Sequence, residues 1–285
     1  MIDRRDFLRT LGASALGAVG VAESACAPRS VASGTSRIER IGVQLYTLRN
    51  ELGKDFDGTL ARVAEIGFKE VEFAGYYDRS PADVRATLDK HGLTAPSAHV
   101  GTAANVVTGW AQTIENAKLI GHEYLGVAYL TVEERKTLDD YRKLADIFNR
   151  AGETARKLGV QFAYHNHDFE FVPIDGAVPY DILLDRTDPA LVKMEMDLFW
   201  ITKAGHKPLE YFSRYPGRFP LVHVKDMDAR ERMVDVGRGA IDFKGIFALR
   251  EQAGIRHFFV EHDEPKPDGL ASVKSSYDHL LQLRF

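Results

Sequence analysis

The stretch Leu158–Gly159–Val160–Gln161–Phe162–Ala163–Tyr164–His165–Asn166–His167 decides the fold. It follows a run from Val132 to Leu158 whose apolar residues recur at helical spacing. Gly159 ends that helix, since glycine takes the left-handed conformation a helix stop needs. Val160–His165 then has strand length and apolar character, and it ends in the polar triplet His165–Asn166–His167. Helix, glycine stop, short buried strand and polar strand end form one unit of a parallel α/β sheet.

The unit recurs in both directions. Upstream, strands are predicted at Ile41–Tyr46, Glu70–Phe73, Pro96–Val100 and Glu123–Tyr129, with helices at Phe56–Ile66, Pro81–Lys90 and Val106–Leu119. Ser80 is the expected N-cap of the second helix, with Pro81 at its first position. Downstream, strands are predicted at Leu191–Asp197, Leu221–Lys225 and His257–Glu261, with helices at Tyr180–Leu184, Pro208–Phe212, Phe243–Ala253 and Ala271–Leu283. Eight β-α units in about 250 residues predict an α/β fold, a single-domain (β/α)8 TIM barrel over residues 38–285. A doubly wound sheet would need a glycine-rich phosphate turn after the first strand. Tyr46–Thr47–Leu48–Arg49 is not one.

Composition agrees with one globular enzyme-sized domain. The chain has 285 residues, 45% apolar and 27% charged, with a net charge of −4. A mildly acidic surface argues against a nucleic-acid partner, because neutralising phosphates requires a basic one. The single cysteine, Cys26, excludes an intrachain disulfide and a cysteine-ligated zinc or iron–sulfur site.

Residues 1–30 read as an address. Arg4–Arg5–Asp6–Phe7–Leu8, followed by a Gly/Ala-rich run from Leu11 to Ala22, resembles a twin-arginine export signal. The run is too short and glycine-rich to anchor in a bilayer. The expectation is export to the periplasm by the twin-arginine machinery, which carries proteins already folded. Ser24–Ala25–Cys26 resembles a lipoprotein cleavage box, so lipid anchoring through Cys26 is an alternative maturation, although Glu23 departs from that pattern. Residues 31–37 form a linker.

Active sites of such barrels lie at the C-terminal ends of the strands. Here those ends carry Glu72, His99, His165–Asn166–His167, Glu195–Met196–Asp197, His223–Val224–Lys225–Asp226 and Glu261–His262–Asp263. Residues two apart share a face of a strand, so His165 and His167, Glu195 and Asp197, and His223 and Lys225 each point together. Carboxylates and imidazoles converging in a barrel mouth would repel or lose their charge without a cation. A divalent metal with mixed N/O ligation resolves this. The bland alternatives are hydrogen-bonded structural histidines and acids that cap helices. Capping suits Asp226 and Asp263 better than ligation does.

At this point the chain resembles the xylose-isomerase-like barrel superfamily, also called the sugar phosphate isomerase/epimerase family. The resemblance rests on Ala163–Tyr164–His165–Asn166–His167, Met196–Asp197–Leu198, Val222–His223–Val224–Lys225–Asp226, Asp235–Val236–Gly237–Arg238–Gly239 and Val260–Glu261. It implies one divalent metal, Mn2+ foremost and Mg2+, Co2+ or Zn2+ otherwise, held by residues at the ends of strands five to eight. Asp197, His223 and Glu261 match that pattern. His165 stands where the family has a glutamate, and since imidazole can still ligate, it is the fourth candidate ligand; Trp200 stands where a histidine is usual. The resemblance also allows a homo-oligomer, though no residue here specifies one.

The implied reaction is proton abstraction next to the carbonyl of a sugar or keto-sugar, through a metal-bound enediolate. Glu261 is the candidate base, with His167 or Glu195 as second acid/base and Lys225 polarising a substrate oxygen with an amine lowered in pKa by the metal. His99, Glu72, Glu195 and Trp200 are candidate substrate contacts. Isomerisation or epimerisation is the leading expectation. A lyase or dehydratase with the same metal site, acting by β-elimination on a keto-sugar or 3-keto-glycoside, is the alternative, raised by the loss of the strand-five glutamate. A non-catalytic sugar-binding protein is the third reading. A nuclease like endonuclease IV needs a richer zinc cluster than this one. Gly237–Arg238–Gly239 is either a phosphate site or a plain loop needing positive φ.

Overall fold

The computed structural model describes residues 36–285. The twin-arginine motif, Cys26 and most of the linker lie outside the described residues.

Strands β1 (Ile41–Gln44), β2 (Glu70–Phe73), β3 (Thr94–His99), β4 (Tyr124–Val127), β5 (Gln161–His165), β6 (Val192–Asp197) and β7 (Leu221–Val224) alternate with helices. A two-stranded hairpin follows, β8 (Asp226–Met227) and β9 (Met233–Val234), and then the last barrel strand, β10 (His257–Val260). The parallel strands close in the order β1-β10-β7-β6-β5-β4-β3-β2, the eight-stranded barrel that the repeat predicts. Every one of them except β3, β5, β6 and β10 is buried along its whole length, as strands covered on both faces must be.

The local signals act as expected. The Ser80 hydroxyl accepts the Asp83 N–H and Pro81 opens the helix Pro81–His91. Gly92 and Gly254 end their helices in the left-handed conformation. Four expected helices differ; one of them, Phe243–Ala253, is two short helices, Phe243–Ala248 and Arg250–Ala253, that meet at Leu249. The run from 132 to 158 breaks into a short turn, Val132–Glu134, and a helix, Leu138–Lys157, because Thr137 caps the latter with Asp140 reaching back to it. The run from 106 to 119 begins only at Trp110, after a turn at Ala103–Val106. Between β6 and β7 there are two helices, Leu198–Lys203 and Pro208–Arg214, rather than one. The first starts directly off β6, because the Asp197 carboxylate accepts the N–H groups of Phe199 and Trp200.

Large side chains fill the space between strands and helices, among them Phe68, Phe148, Phe162, Tyr164, Phe212 and Phe219. Among the described residues no helix is long and apolar enough to cross a membrane.

Candidate metal centre

The strand-end polar residues form two layers. The upper layer is His165, Asp197, His223 and Glu261, from β5, β6, β7 and the residue after β10. Each offers one ligand atom, and these atoms lie within 4.8 Å of one another. The lower layer is Glu72, Glu195 and His99, also grouped around His223. The separation follows from strand geometry: two residues back along β6, from Asp197 to Glu195, is roughly 6.6 Å deeper in the barrel.

The hydrogen bonds fix which atoms face the upper site. His165 Nδ1 lies 3.2 Å from the Ala128 carbonyl. A carbonyl only accepts, so Nδ1 carries the proton and the Nε2 lone pair faces Asp197 Oδ2 at 3.2 Å. Asp197 divides its oxygens: Oδ1 accepts the Phe199 and Trp200 N–H groups at 2.9 Å, and Oδ2 remains for the site. His223 Nε2 points down at Glu72 Oε2 (2.7 Å) and Glu195 Oε1 (3.2 Å). His223 Nδ1 points up, 2.7 Å from Glu261 Oε2. His223 Nδ1 is buried with no partner in hydrogen-bonding geometry, and the charge facing Glu261 Oε2 besides this imidazole is the Lys225 ammonium. An orphaned buried imidazole nitrogen aimed at a carboxylate oxygen, beside a second carboxylate and a second imidazole lone pair, fits a divalent cation with two nitrogen and two oxygen ligands.

Lys225 is the site's built-in cation. Its Nζ lies 3.0 Å from Asp197 Oδ2, 2.6 Å from Glu261 Oε2 and 2.9 Å from Asp263 Oδ1. Burial by itself would lower the amine's pKa, but Asp197, Glu261 and Asp263 outweigh it and hold the ammonium well above the ordinary lysine range. The protein's own charges therefore oppose the expected lowering. Burial would likewise raise Asp197, but Lys225 and His165 bring it down to about 2. Glu261 is held well below the usual range by Lys225 and then His223, against its burial. His165 is lowered by burial and the neighbouring His223. His167 is lowered to about 2, first by burial and then by His165 and Lys225. His167 is therefore neutral near pH 7, and its buried Nδ1 has no hydrogen-bond partner among the described residues.

Glu72 and Glu195 are corrected from the sequence reading. Both are fully buried, and neither lines the chamber above. Glu72 accepts from Gln44 Nε2 (2.7 Å) and Ser97 Oγ (2.5 Å) as well as facing His223. Glu195 Oε2 lies 2.6 Å from His99 Nε2. These carboxylates orient the imidazoles of His223 and His99 from below, as second partners of ligating histidines do. Burial and then Glu195 push Glu72 up, while His223 and His99 outweigh burial and hold Glu195 well below the usual range.

The chamber above the metal set measures about 420 Å3. His99, His165, His167, Lys225 and Glu261 line it as expected; Tyr46, Tyr129 and Asp263 are additions. Tyr46 and Tyr129 are 44% and 39% exposed, which leaves their rings open at the rim. The His167 ring is stacked against Phe169 (5.3 Å, 6°) and faces Trp200 at 5.6 Å. A residue that sequence reasoning missed holds His167 in place. Glu170 is fully buried, accepts the His167 backbone N–H at 2.8 Å and accepts the Tyr164 hydroxyl. The only signal for it was a carboxylate inside an otherwise aromatic stretch, Phe169–Glu170–Phe171.

Two smaller expectations are also corrected. Asp226 does not cap a helix; its carboxylate accepts the N–H groups of Met227, Gly237, Gly239 and Ile241. The Gly237 and Gly239 amides are thus turned onto the protein's own carboxylate and the Arg238 amide onto the Asp235 carbonyl, and the phosphate reading loses its anchor. Asp263 caps nothing and binds Lys225.

With fold and site in view, comparison with known proteins is specific. Residues 60–282 match the model of the xylose isomerase-like TIM barrel family, and the chain belongs to that family. An inosose dehydratase of Lacticaseibacillus casei is 26% identical over 260 residues, covering 76% of this chain and 85% of that protein. A sugar phosphate isomerase/epimerase from Parabacteroides distasonis superposes with a TM-score of 0.76 at 26% identity, covering 87% of this chain and 95% of its own. The IOLI protein with a bound zinc atom shares the fold at 16% identity and a TM-score of 0.68, covering 84% and 95%. The dehydratase and the isomerase/epimerase are enzymes, and this chain belongs to an enzyme family.

Proposed function

We propose that this protein is a divalent-metal-dependent lyase that removes a proton next to the carbonyl of a keto-sugar and then expels the β-substituent. The single observation carrying this is the asymmetry of the chamber. Among the described residues its only lining acids, Glu261 and Asp263, both contact Lys225 and so lie on one side. The remaining polar lining is imidazole and phenol. Two-base epimerisation needs a carboxylate on each face of the substrate, and His165 stands where the second would be.

The metal would be held by His165, Asp197, His223 and Glu261, with Mn2+ the first choice and Zn2+, Co2+ or Mg2+ alternatives; the zinc in the IOLI protein supports a site of this kind. When bound it supplies Lewis acidity that makes the adjacent C–H acidic. Glu261, ionised, takes that proton, and the bonding electrons move onto the carbonyl oxygen. They return to break the bond from the β-carbon to its oxygen substituent. That oxygen leaves with a proton from the Lys225 ammonium, so the products are an unsaturated ketone and water or an alcohol. Glu261 Oε2 and Lys225 Nζ are 2.6 Å apart, and passing the abstracted proton between them resets both groups. His167, neutral, accepts a substrate hydroxyl hydrogen, and His99 and Tyr129 flank the ring. The inosose dehydratase relatives support this reading, since dehydration is the same elimination with water leaving.

Isomerisation or epimerisation remains the second reading, favoured by the Parabacteroides neighbour. Proton NMR in D2O separates the two. A keto-sugar substrate that gains a vinylic signal and loses a fragment supports the lyase. One that only exchanges a C–H and keeps its mass overturns it. We also propose export to the periplasm, from Arg4–Arg5–Asp6–Phe7–Leu8. Cell fractionation of a double Arg4→Lys, Arg5→Lys variant, retained in the cytoplasm, tests that.

A further inference from the structure

Three carboxylates share one ammonium. Lys225 Nζ lies 2.6 Å from Glu261 Oε2, 3.0 Å from Asp197 Oδ2 and 2.9 Å from Asp263 Oδ1. Asp197 and Glu261 belong to the candidate metal set. Asp197 has no other oxygen to give, because its Oδ1 is taken by the Phe199 and Trp200 amides. Glu261 Oε2 is the atom that faces His223 Nδ1, at 2.7 Å. A divalent ion on this set and the Lys225 ammonium therefore draw on the same two oxygens. Like charges this close repel strongly in a buried site, where little water screens them. Among the described residues, Asp263 is the one acid paired with Lys225 that lies outside the metal set.

The position of Asp263 is fixed by three segments of the chain. It lies in the loop after β10. Its backbone N–H donates to the Met233 thioether sulfur of β9 at 3.2 Å. Its carbonyl accepts from Arg49 Nη2, beyond β1, at 2.8 Å. Arg49 is held in turn: Nη1 donates to the Tyr46 carbonyl at 2.8 Å, and the guanidinium lies 4.2 Å over the Tyr46 ring. With its backbone tied on both sides, Asp263 presents its carboxylate to Lys225 at the chamber wall. That side chain is 30% exposed, whereas those of Asp197 and Glu261 are 0% and 6% exposed. A carboxylate in contact with water costs less to keep ionised than a fully buried one.

We infer that Asp263 is a positioning residue for the metal centre: it draws the Lys225 ammonium away from Asp197 and Glu261, which leaves both oxygens free to ligate. The inference rests on the metal reading above and holds whether the reaction is elimination or isomerisation. Asp263 contributes no ligand, and its effect on the metal passes through Lys225.

The test is a double-mutant cycle on metal affinity. Calorimetric titration of Mn2+ into the full chain, at one neutral pH and one ionic strength, compares the parent with Asp263→Asn, Lys225→Met and the double variant. Asp263→Asn should weaken binding by about ten-fold or more, because the ammonium is left with the two ligand carboxylates alone. Lys225→Met should tighten it by about ten-fold, and in that background Asp263→Asn should change it by less than about three-fold. Simple attraction between Asp263 and the metal would survive in the Lys225→Met background, so the cycle separates the two. An equal loss from Asp263→Asn in both backgrounds overturns the inference, as does no loss in either. If Lys225→Met lacks the circular-dichroism spectrum of the parent, Lys225→Gln takes its place in the cycle. A parent that binds no Mn2+ overturns the metal centre and this role together. A parent that binds it, with additive variants, keeps the centre and removes the role.

Discussion

Glu170 gives a prediction whose size follows from its burial. Its side chain is fully buried between Tyr164 and the His167 backbone, and burial pushes its pKa from 4.5 up to about 7 despite those two donors. The folded state thus binds this proton more tightly than the unfolded chain does. Below pH 4.5 both states are protonated and nothing is lost. From there to about pH 7 the unfolded chain releases the proton while the folded one retains it, and stability falls as pH rises. The full shift corresponds to about 3 kcal/mol, at about 1.4 kcal/mol per pH unit. Glu170→Gln keeps the shape, one acceptor for the His167 N–H and a donor for Tyr164, but does not titrate. The stability of Glu170→Gln minus that of the parent should therefore rise by about 2–3 kcal/mol from pH 5 to pH 8, seen as a relative Tm gain of roughly 5–10 °C for a domain of this size. Other titrating groups cancel in the difference. Circular-dichroism melts of both proteins at pH 5, 6, 7 and 8 measure it. Parallel pH profiles would refute the reasoning and place the proton elsewhere in the Tyr164–Glu170 pair.

The remaining predictions concern the site and its supports. Asp197→Asn keeps the two amide contacts to the helix Leu198–Lys203 but loses an anionic ligand, so metal affinity should fall at least ten-fold with little change in fold, measured by metal titration. Glu261→Gln removes the base, and turnover should fall by about 10²–10⁴-fold in an otherwise folded protein, read by steady-state kinetics. Gly239→Ala places a methyl group against the Asp226 carboxylate and the Met227 carbonyl, and should destabilise by about 1–3 kcal/mol in urea unfolding.

Much of this was legible in the sequence because strands impose a period of two and glycines mark the helix ends. The barrel and the convergence of Asp197, His223 and Glu261 followed from reading strand ends, and His165 joined them through the family resemblance. Depth was not legible. Glu72 and Glu195 point inward, as the period requires, but two residues of rise place Glu195 a layer below Asp197, under the imidazoles. Lys225 and Asp263 follow different strands, so their pairing is a tertiary fact. The Asp226 carboxylate reaches residues 11 to 15 positions away, beyond any local capping rule. The hairpin of β8 and β9 has two residues in each strand, too few to show alternation. Thr137–Leu138–Asp139–Asp140 did carry a capping-box pattern that would have split the long helix.

The central claim is that His165, Asp197, His223 and Glu261 hold a metal that the reaction requires. Elemental mass spectrometry of protein spanning residues 36–285, after incubation with Mn2+ and gel filtration, tests it most directly, beside Asp197→Asn and His223→Ala. The account predicts about one divalent ion per chain in the parent and loss of that ion in both variants. A parent that binds no metal, or variants that retain it in full, would contradict it.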